Sequence, residues 1–249
     1  MDPLTIGLLC GAAFATSVLS AVIGMAGGIV LLAVMLLFFD PIVAIPLHGV
    51  VQLVSNSTRS IVQRRHLAWG IVRWYALPLL PLALAGVYVA LSIPAVLGKA
   101  LIGAFVLVAT LRPGWLRIRP PGAGGVARRF ALLGSATGFL SSLIGATGPL
   151  IAPFFLDLGL SRQSVVGTKA ACQTLGHMAK IAAFGWVGFA YLEHAGLLAL
   201  MSAMVIAGTA LGSRLLERVD EVLFTRLYRT VLTLIALRLL ASALIERLA

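Results

Sequence analysis

Two sets of polar side chains stand inside apolar sequence. His48, Gln52, Asn56 and Arg59 fall at intervals of four, four and three residues, and Lys169, Gln173, His177 and Lys180 repeat those intervals. On a helix this spacing puts each set on one face. The residue types are hydrogen-bond donors: amides, imidazoles and cations. No Asp or Glu stands in the middle of an apolar stretch; Asp40 and Asp157 lie at the ends of short ones. A cation carrier normally places a carboxylate at its site. Intramembrane cations without carboxylates suit an anion instead, above all where helix N-termini are close by.

Two glycine breaks supply such N-termini. Ile23-Gly24-Met25-Ala26-Gly27-Gly28 and Ile144-Gly145-Ala146-Thr147-Gly148-Pro149 each interrupt a long apolar run. A shift of 121 residues carries Gly24 to Gly145 and Gly27 to Gly148. Held without a gap, it also carries Thr16 to Thr137, Ser20 to Ser141 and Gln52 to Gln173, and pairs Asn56 with His177 and Arg59 with Lys180. Polar intramembrane residues are individually improbable, so their falling in register indicates two homologous halves. A glycine-broken hydrophobic element in each half is the sequence pointer to a transporter binding site.

The elements that must position these residues are membrane helices. The chain has 249 residues, is 60% hydrophobic and only 11% charged, with a mean hydropathy of +1.05. That excludes an ordinary soluble domain and leaves no room for an extramembrane catalytic one. The expected crossings are Leu4–Val22, Ile42–Val62, Trp69–Leu91 and Pro94–Leu111, then Phe130–Leu143, Ser164–Phe189, Ala195–Gly212 and Leu223–Leu244. Short pieces at Ile29–Phe39 and Leu150–Leu158 follow the glycine breaks. The halves are residues 1–111 and 130–249, joined by a basic linker, 112–129, rich in Pro and Gly and without an acid. With only Cys10 and Cys172 there is no disulfide framework, and no metal-ligand spacing occurs.

The net charge of +11 is read as membrane orientation and not as nucleic-acid binding. The basic segments Gln63–His66, Arg112–Arg129, Arg162 and Arg214–Arg218 all face the cytoplasm if each broken element enters and leaves on one side, as a hairpin. Each half then adds an odd number of full crossings. The expected fold is therefore an all-α polytopic membrane protein of two inverted-topology repeats, each a glycine-broken helical hairpin followed by three transmembrane helices.

Plainer roles stand beside the functional ones. Gly27 and Gly148 suit tight helix crossing, and Gln52 and Gln173 suit interhelical bonding. Arg59, Lys180 and Lys169 are placed to snorkel toward headgroups. Thr168 and Thr174 suit bonds to backbone carbonyls, Cys172 suits packing, and Trp69, Trp74, Trp115 and Trp186 suit interfacial anchors. His66 and His194 fall in loops.

At the paired breaks, with Pro153 after the second and Val166-Gly167-Thr168 opening the next helix, the sequence resembles the sulfite exporter TauE/SafE family over the whole chain. The family often carries Gly-Gly-Gly in both halves, where this chain has Ala26-Gly27-Gly28 and Thr147-Gly148-Pro149, and the first-half counterpart of Gly167-Thr168 is Pro46-Leu47. The resemblance implies transport of sulfite, sulfonates or similar anions across the bacterial inner membrane. The expected substrate-binding set is Gly24, Gly27, Gly28, Gln52, Asn56, Arg59, Gly145, Thr147, Gly148, Gln173, His177 and Lys180. His177 is a candidate for proton coupling, since imidazole titrates near neutral pH. The expected partners are a small anion and the lipid bilayer, with a homodimer compatible and no nucleic acid, cofactor or metal. An anion channel would use the same donors. The absence of a carboxylate pair, a His cluster or a Ser/His/Asp set in register argues against an enzyme.

Overall fold

The computed structural model describes the chain except residues 24–26, 113–114, 116–124, 156–157, 216–220 and 249. The regular structure among the described residues is all helical, with no strand. Gly24 and Asp157, most of the linker and part of the last charged loop lie outside them.

Helix α1 (Pro3–Ile23) starts on Asp2, whose carboxylate accepts from the Thr5 amide at 2.9 Å and the Thr5 hydroxyl at 2.6 Å. These bonds, the hydroxyl's foremost, hold the Asp2 carboxyl below its ordinary range. After the first break comes α2 (Gly27–Met35), nine residues and about half a bilayer core in length. Asp40 stands before α3 (Pro41–Val62), where Pro41 suits the first helical position because its missing N–H needs no partner there. Asp40 is spoken for by Lys99, at 3.0 Å.

The segment expected as one span from Trp69 to Leu91 is two helices, α4 (Trp69–Ala76) and α5 (Leu79–Ser92), bent by 41°. Pro78 sits in the break and lacks the N–H that would continue the ladder. Helix α6 (Ala95–Leu111) ends the first half. Helix α7 (Gly125–Ile144) begins earlier than expected and takes in Arg128 and Arg129, which the sequence assigned to the linker. Arg129 is buried, donates to the Phe154 carbonyl and lies over the Phe130 and Phe154 rings. The second short piece is α8 (Gly148–Ile151), followed by a 3₁₀ turn (Ala152–Phe155). Helices α9 (Arg162–Trp186), α10 (Ala195–Leu215) and α11 (Glu221–Leu248) complete the chain. Ser161 caps α9 by accepting from the Ser164 amide at 3.2 Å.

Among the described residues two single helical stretches are long and apolar enough to cross a membrane, over Pro3–Ala21 and Tyr191–Gly212, and the bent α4–α5 pair makes a third when taken as one span. Helices α3 and α9 have the length, at 22 and 25 residues, but their polar faces lower their hydropathy. Those faces are turned inward: His48, Gln52, Asn56, His177 and Lys180 are all buried, as polar groups in a membrane helix must be. Large apolar side chains such as Leu80, Leu101, Leu200 and Leu237 face outward. Trp69, Trp115 and Trp186 are exposed at or just beyond helix ends, where interfacial anchors belong.

The helices pair as α1 with α10, α5 with α7, α3 with α9 and α6 with α11. Glycines allow the closest crossings, since lipid offers no hydrophobic drive and close backbone contact must supply the attraction. A Cβ on Gly134 of α7 would stand 2.1 Å from the Tyr75 carbonyl oxygen, and one on Gly208 of α10 would stand 2.4 Å from that of Phe14. Among the described residues Thr168 bonds no carbonyl; its hydroxyl accepts from the Ala68 amide at 3.0 Å and ties the start of α9 to the chain after the basic loop. Thr174 does bond one, that of Ala170, at 2.9 Å.

Candidate functional site

The inward faces of α3 and α9 meet the two short helices around a cavity of about 570 Å³, part of it open to solvent. From α3 it takes His48, Gln52, Asn56 and Arg59, and from α9 Gln173, Gly176 and His177. Gly28 of α2, Thr147, and Gly148 of α8 bring the backbone of both breaks to the wall. Ser20 of α1, Tyr75 of α4, and Thr137 and Ser141 of α7 add hydroxyl groups. The polar wall is made of amides, hydroxyls, imidazoles and one guanidinium; no carboxylate lines it among the described residues.

Several wall groups are oriented by the helix that carries them. Arg59 donates through Nε to the Ser55 carbonyl at 3.3 Å, and through Nη2 to Ser55 Oγ at 3.3 Å and Asn56 Oδ1 at 3.0 Å. Asn56 Nδ2 in turn donates to the Gln52 carbonyl at 2.9 Å. The guanidinium is thus braced on one side, and its remaining N–H groups have a direction to serve. Gln52 approaches the first break: its Oε1 lies 3.2 Å from where a Cβ on Gly28 would be. His48 Nε2 bonds the Gly28 carbonyl at 2.8 Å, and the His48 and His177 rings meet edge to face with centroids 6.0 Å apart. The Tyr75 and Thr137 hydroxyls share a hydrogen bond of 2.7 Å.

Residues 9–239 match the family model described as sulfite exporter TauE/SafE. The chain belongs to that family. No curated protein and no solved structure matches it. Members of the TauE/SafE family are membrane transporters of sulfur-containing anions and not enzymes, and this one is accordingly a multi-pass membrane transporter.

Most of the residues that the sequence nominated meet at this cavity of the TauE/SafE protein: Gly28, Gln52, Asn56, Arg59, Thr147, Gly148, Gln173 and His177 line it. Arg59 therefore faces the cavity and does not snorkel to a headgroup. Lys169, expected to snorkel, is only 6% exposed and lies inside the protein. Gly27, Gly145 and Lys180 are near the cavity but do not line it. A Cβ on Gly27 would stand 2.0 Å from the Thr16 carbonyl oxygen and 2.2 Å from Ser20 Oγ, so its task is tight crossing of α2 on α1. Gly145 has φ of +76°, a left-handed conformation that turns the chain at the end of α7. Lys180 is 0% exposed and its Nζ donates to the Gly145 carbonyl at 2.9 Å. It is a cation set on the open end of a helix, which is where the helix dipole favours one. Gly24 lies outside the described residues.

Five polar side chains on the wall, those of Ser20, His48, Tyr75, Thr137 and Ser141, stand outside the nominated binding set. Ser20, Thr137 and Ser141 had a signal, because the 121-residue shift pairs Ser20 with Ser141 and Thr137 with Thr16. Tyr75 had none, since it stands alone in an apolar segment. His48 belonged to the polar stripe but was left out of the binding set. Among the described residues no group of His, Cys, Asp and Glu could hold a metal ion.

Proposed function

We propose that this chain is a secondary transporter of a small sulfur oxyanion of the sulfite, sulfonate or sulfoacetate type, working in the bacterial inner membrane. The observation that carries the reading is the chemistry of the cavity wall: many donors, a braced Arg59, and no carboxylate among the described residues. Gln52, Gln173 and His177 donate to the anion's oxygens with the backbone at Gly28, Thr147 and Gly148. Arg59 balances charge directly, and Lys180 adds a positive field from behind Gly145.

The alternating-access mechanism goes with an inverted repeat. The helix pairing supports it: exchanging α1 with α7 and α10 with the α4–α5 pair leaves the set of packed pairs unchanged, as does exchanging α3 with α9 or α6 with α11. Thr16 and Thr137 make the same back-bond, to Ala12 at 2.7 Å and Leu133 at 2.8 Å. In this reading the substrate sits at the midplane between the broken hairpins, the basic loops face the cytoplasm, and rocking of one half on the other exposes the cavity in turn.

The test is thermal stabilisation of purified protein by sulfite, sulfoacetate, sulfate and chloride, with Gln173→Ala alongside. A ligand raises stability by RT ln(1 + [L]/Kd). Stabilisation by a sulfur oxyanion that Gln173→Ala weakens supports both substrate class and site. Folded protein that no sulfur oxyanion stabilises would refute the substrate.

A further inference from the structure

The tautomer of His48 is decided by its partner. A carbonyl oxygen only accepts, so the Nε2 that lies 2.8 Å from the Gly28 carbonyl must carry the hydrogen. In the neutral ring Nδ1 then holds a lone pair. That atom is buried and has no hydrogen-bond partner among the described residues, in a residue 1% exposed that lines the cavity. A buried acceptor without a donor costs free energy, and a lone pair brought against an oxyanion would repel it. The conflict ends if a hydrogen stands between them.

We propose that His48 Nδ1 is the proton position of this cavity, so that each bound oxyanion meets the ring through one hydrogen. The inference rests on the oxyanion reading above. The hydrogen has two sources with the same final contact. A hydrogen-bearing anion such as hydrogensulfite donates its own O–H to the Nδ1 lone pair. A fully dissociated anion such as sulfate binds with a proton taken from water onto Nδ1, which then donates to an anion oxygen and returns the proton when the anion leaves. The wall thereby selects for an anion plus one proton, whichever of the two carries it.

His177 is the less specific candidate. Its Nδ1 is also buried without a partner among the described residues, in a residue 9% exposed, and among those residues no carbonyl fixes which of its nitrogens holds the hydrogen. The groups that face His48 are His177 and Lys180, both on α9; a Cβ on Gly49, the residue after His48, would lie 2.9 Å from Lys180 Cε. Arg59 on α3 and Tyr75 on α4 line the same cavity, and Lys169 lies on the Arg59 side of α9. Lys99 of α6 is paired with Asp40, and Arg129 of α7 bonds the Phe154 carbonyl. No carboxylate lining the wall among the described residues competes with Nδ1 for the proton.

The experiment is calorimetric binding to purified full-length protein in buffers of different ionisation enthalpy, with sulfate and sulfite as probes, repeated across neutral pH. Wild-type protein should take up one proton per sulfate bound, with affinity falling about tenfold per pH unit. Sulfite should show less uptake at the pH where it carries its own hydrogen. His48→Gln keeps an N–H for the Gly28 carbonyl and lacks the titrating lone pair; it should bind sulfate without uptake and without the pH slope. His177→Gln should weaken sulfate binding, since that ring donates to the anion, yet keep the proton uptake and the pH slope. Uptake retained in His48→Gln, or wild-type binding of sulfate without uptake, would overturn the assignment. Should His48→Gln not fold, ¹⁵N NMR of histidine-labelled wild-type protein reads the same atom: sulfate should convert one Nδ1 from lone pair to N–H, and an unchanged Nδ1 refutes the proposal. Wild-type protein that binds no sulfur oxyanion at all would overturn the oxyanion reading, and this inference with it.

Discussion

Adjacent glycines at the first break divide two tasks, and alanine substitution separates them. A Cβ on Gly27 would stand 2.0 Å from the Thr16 carbonyl oxygen, a backbone atom, and 2.9 Å from the carbonyl carbon. Ordinary contact needs α2 to move off α1 by more than about 1 Å, and close packing elsewhere resists such a shift. Gly27→Ala should therefore cost about 3 kcal/mol, a fall in Tm of roughly 6–12 °C for a chain of this size. The three atoms nearest a Cβ on Gly28 are all of the Gln52 side-chain amide, from 3.2 Å, and an amide on a flexible stem swings aside. Gly28→Ala should leave Tm within roughly 2 °C while pushing the Gln52 amide off the wall and weakening oxyanion binding about tenfold, or about 1.4 kcal/mol. The assay is a melting curve for each variant with and without saturating sulfite. A Gly27→Ala protein as stable as wild type would show that α2 does not press on α1. Equal loss of binding in both variants at unchanged stability would refute the division of labour.

Three further outcomes follow from the same distances. Gly134→Ala, whose methyl would lie 2.1 Å from the Tyr75 carbonyl oxygen, should destabilise by about 3 kcal/mol, whereas Gly7→Ala, with nothing within 4 Å, should be neutral or gain up to about 1 kcal/mol of helix propensity; comparison of their melting curves checks the α4–α7 crossing. Lys180→Met leaves the Gly145 carbonyl without its donor and should lower stability by about 2 kcal/mol, and an unchanged Tm would mean that another group serves that oxygen. Arg59→Gln removes the guanidinium that lines the wall and should weaken sulfite binding about thirtyfold, close to 2 kcal/mol, with Asn56→Ala causing a smaller loss in the same direction because it only releases the Arg59 brace; titration of both variants orders the two effects.

The polar stripes were legible because a donor inside lipid is expensive and must face protein; the period of the helix then says which residues share that face. Gln52, Asn56, Arg59, Gln173 and His177 were found on the cavity wall for that reason. Lys180 fell on the same stripe, one turn past His177, and period alone assigned it to the anion. Its actual partner is a carbonyl 35 residues earlier in the chain, exposed only because Gly145 turns with positive φ. The α4–α5 bend was missed because Pro78 stands in an unbroken apolar run, and composition cannot tell a kinked span from a straight one.

From sequence alone come the membrane class, the two glycine breaks, the shared polar faces and the sign of the charge they present. These depend on the cost of moving each group from water into an apolar medium, and on the fixed rise and turn of a helix, so they are local properties. Tertiary structure alone decided that Gly27 is a crossing point while Gly28 is a wall, that Tyr75 joins the site, and that His48 keeps its hydrogen on Nε2 and leaves Nδ1 bare. Those outcomes depend on which backbone carbonyl lies within 3 Å of which side chain, and that distance exists only once separate helices have packed.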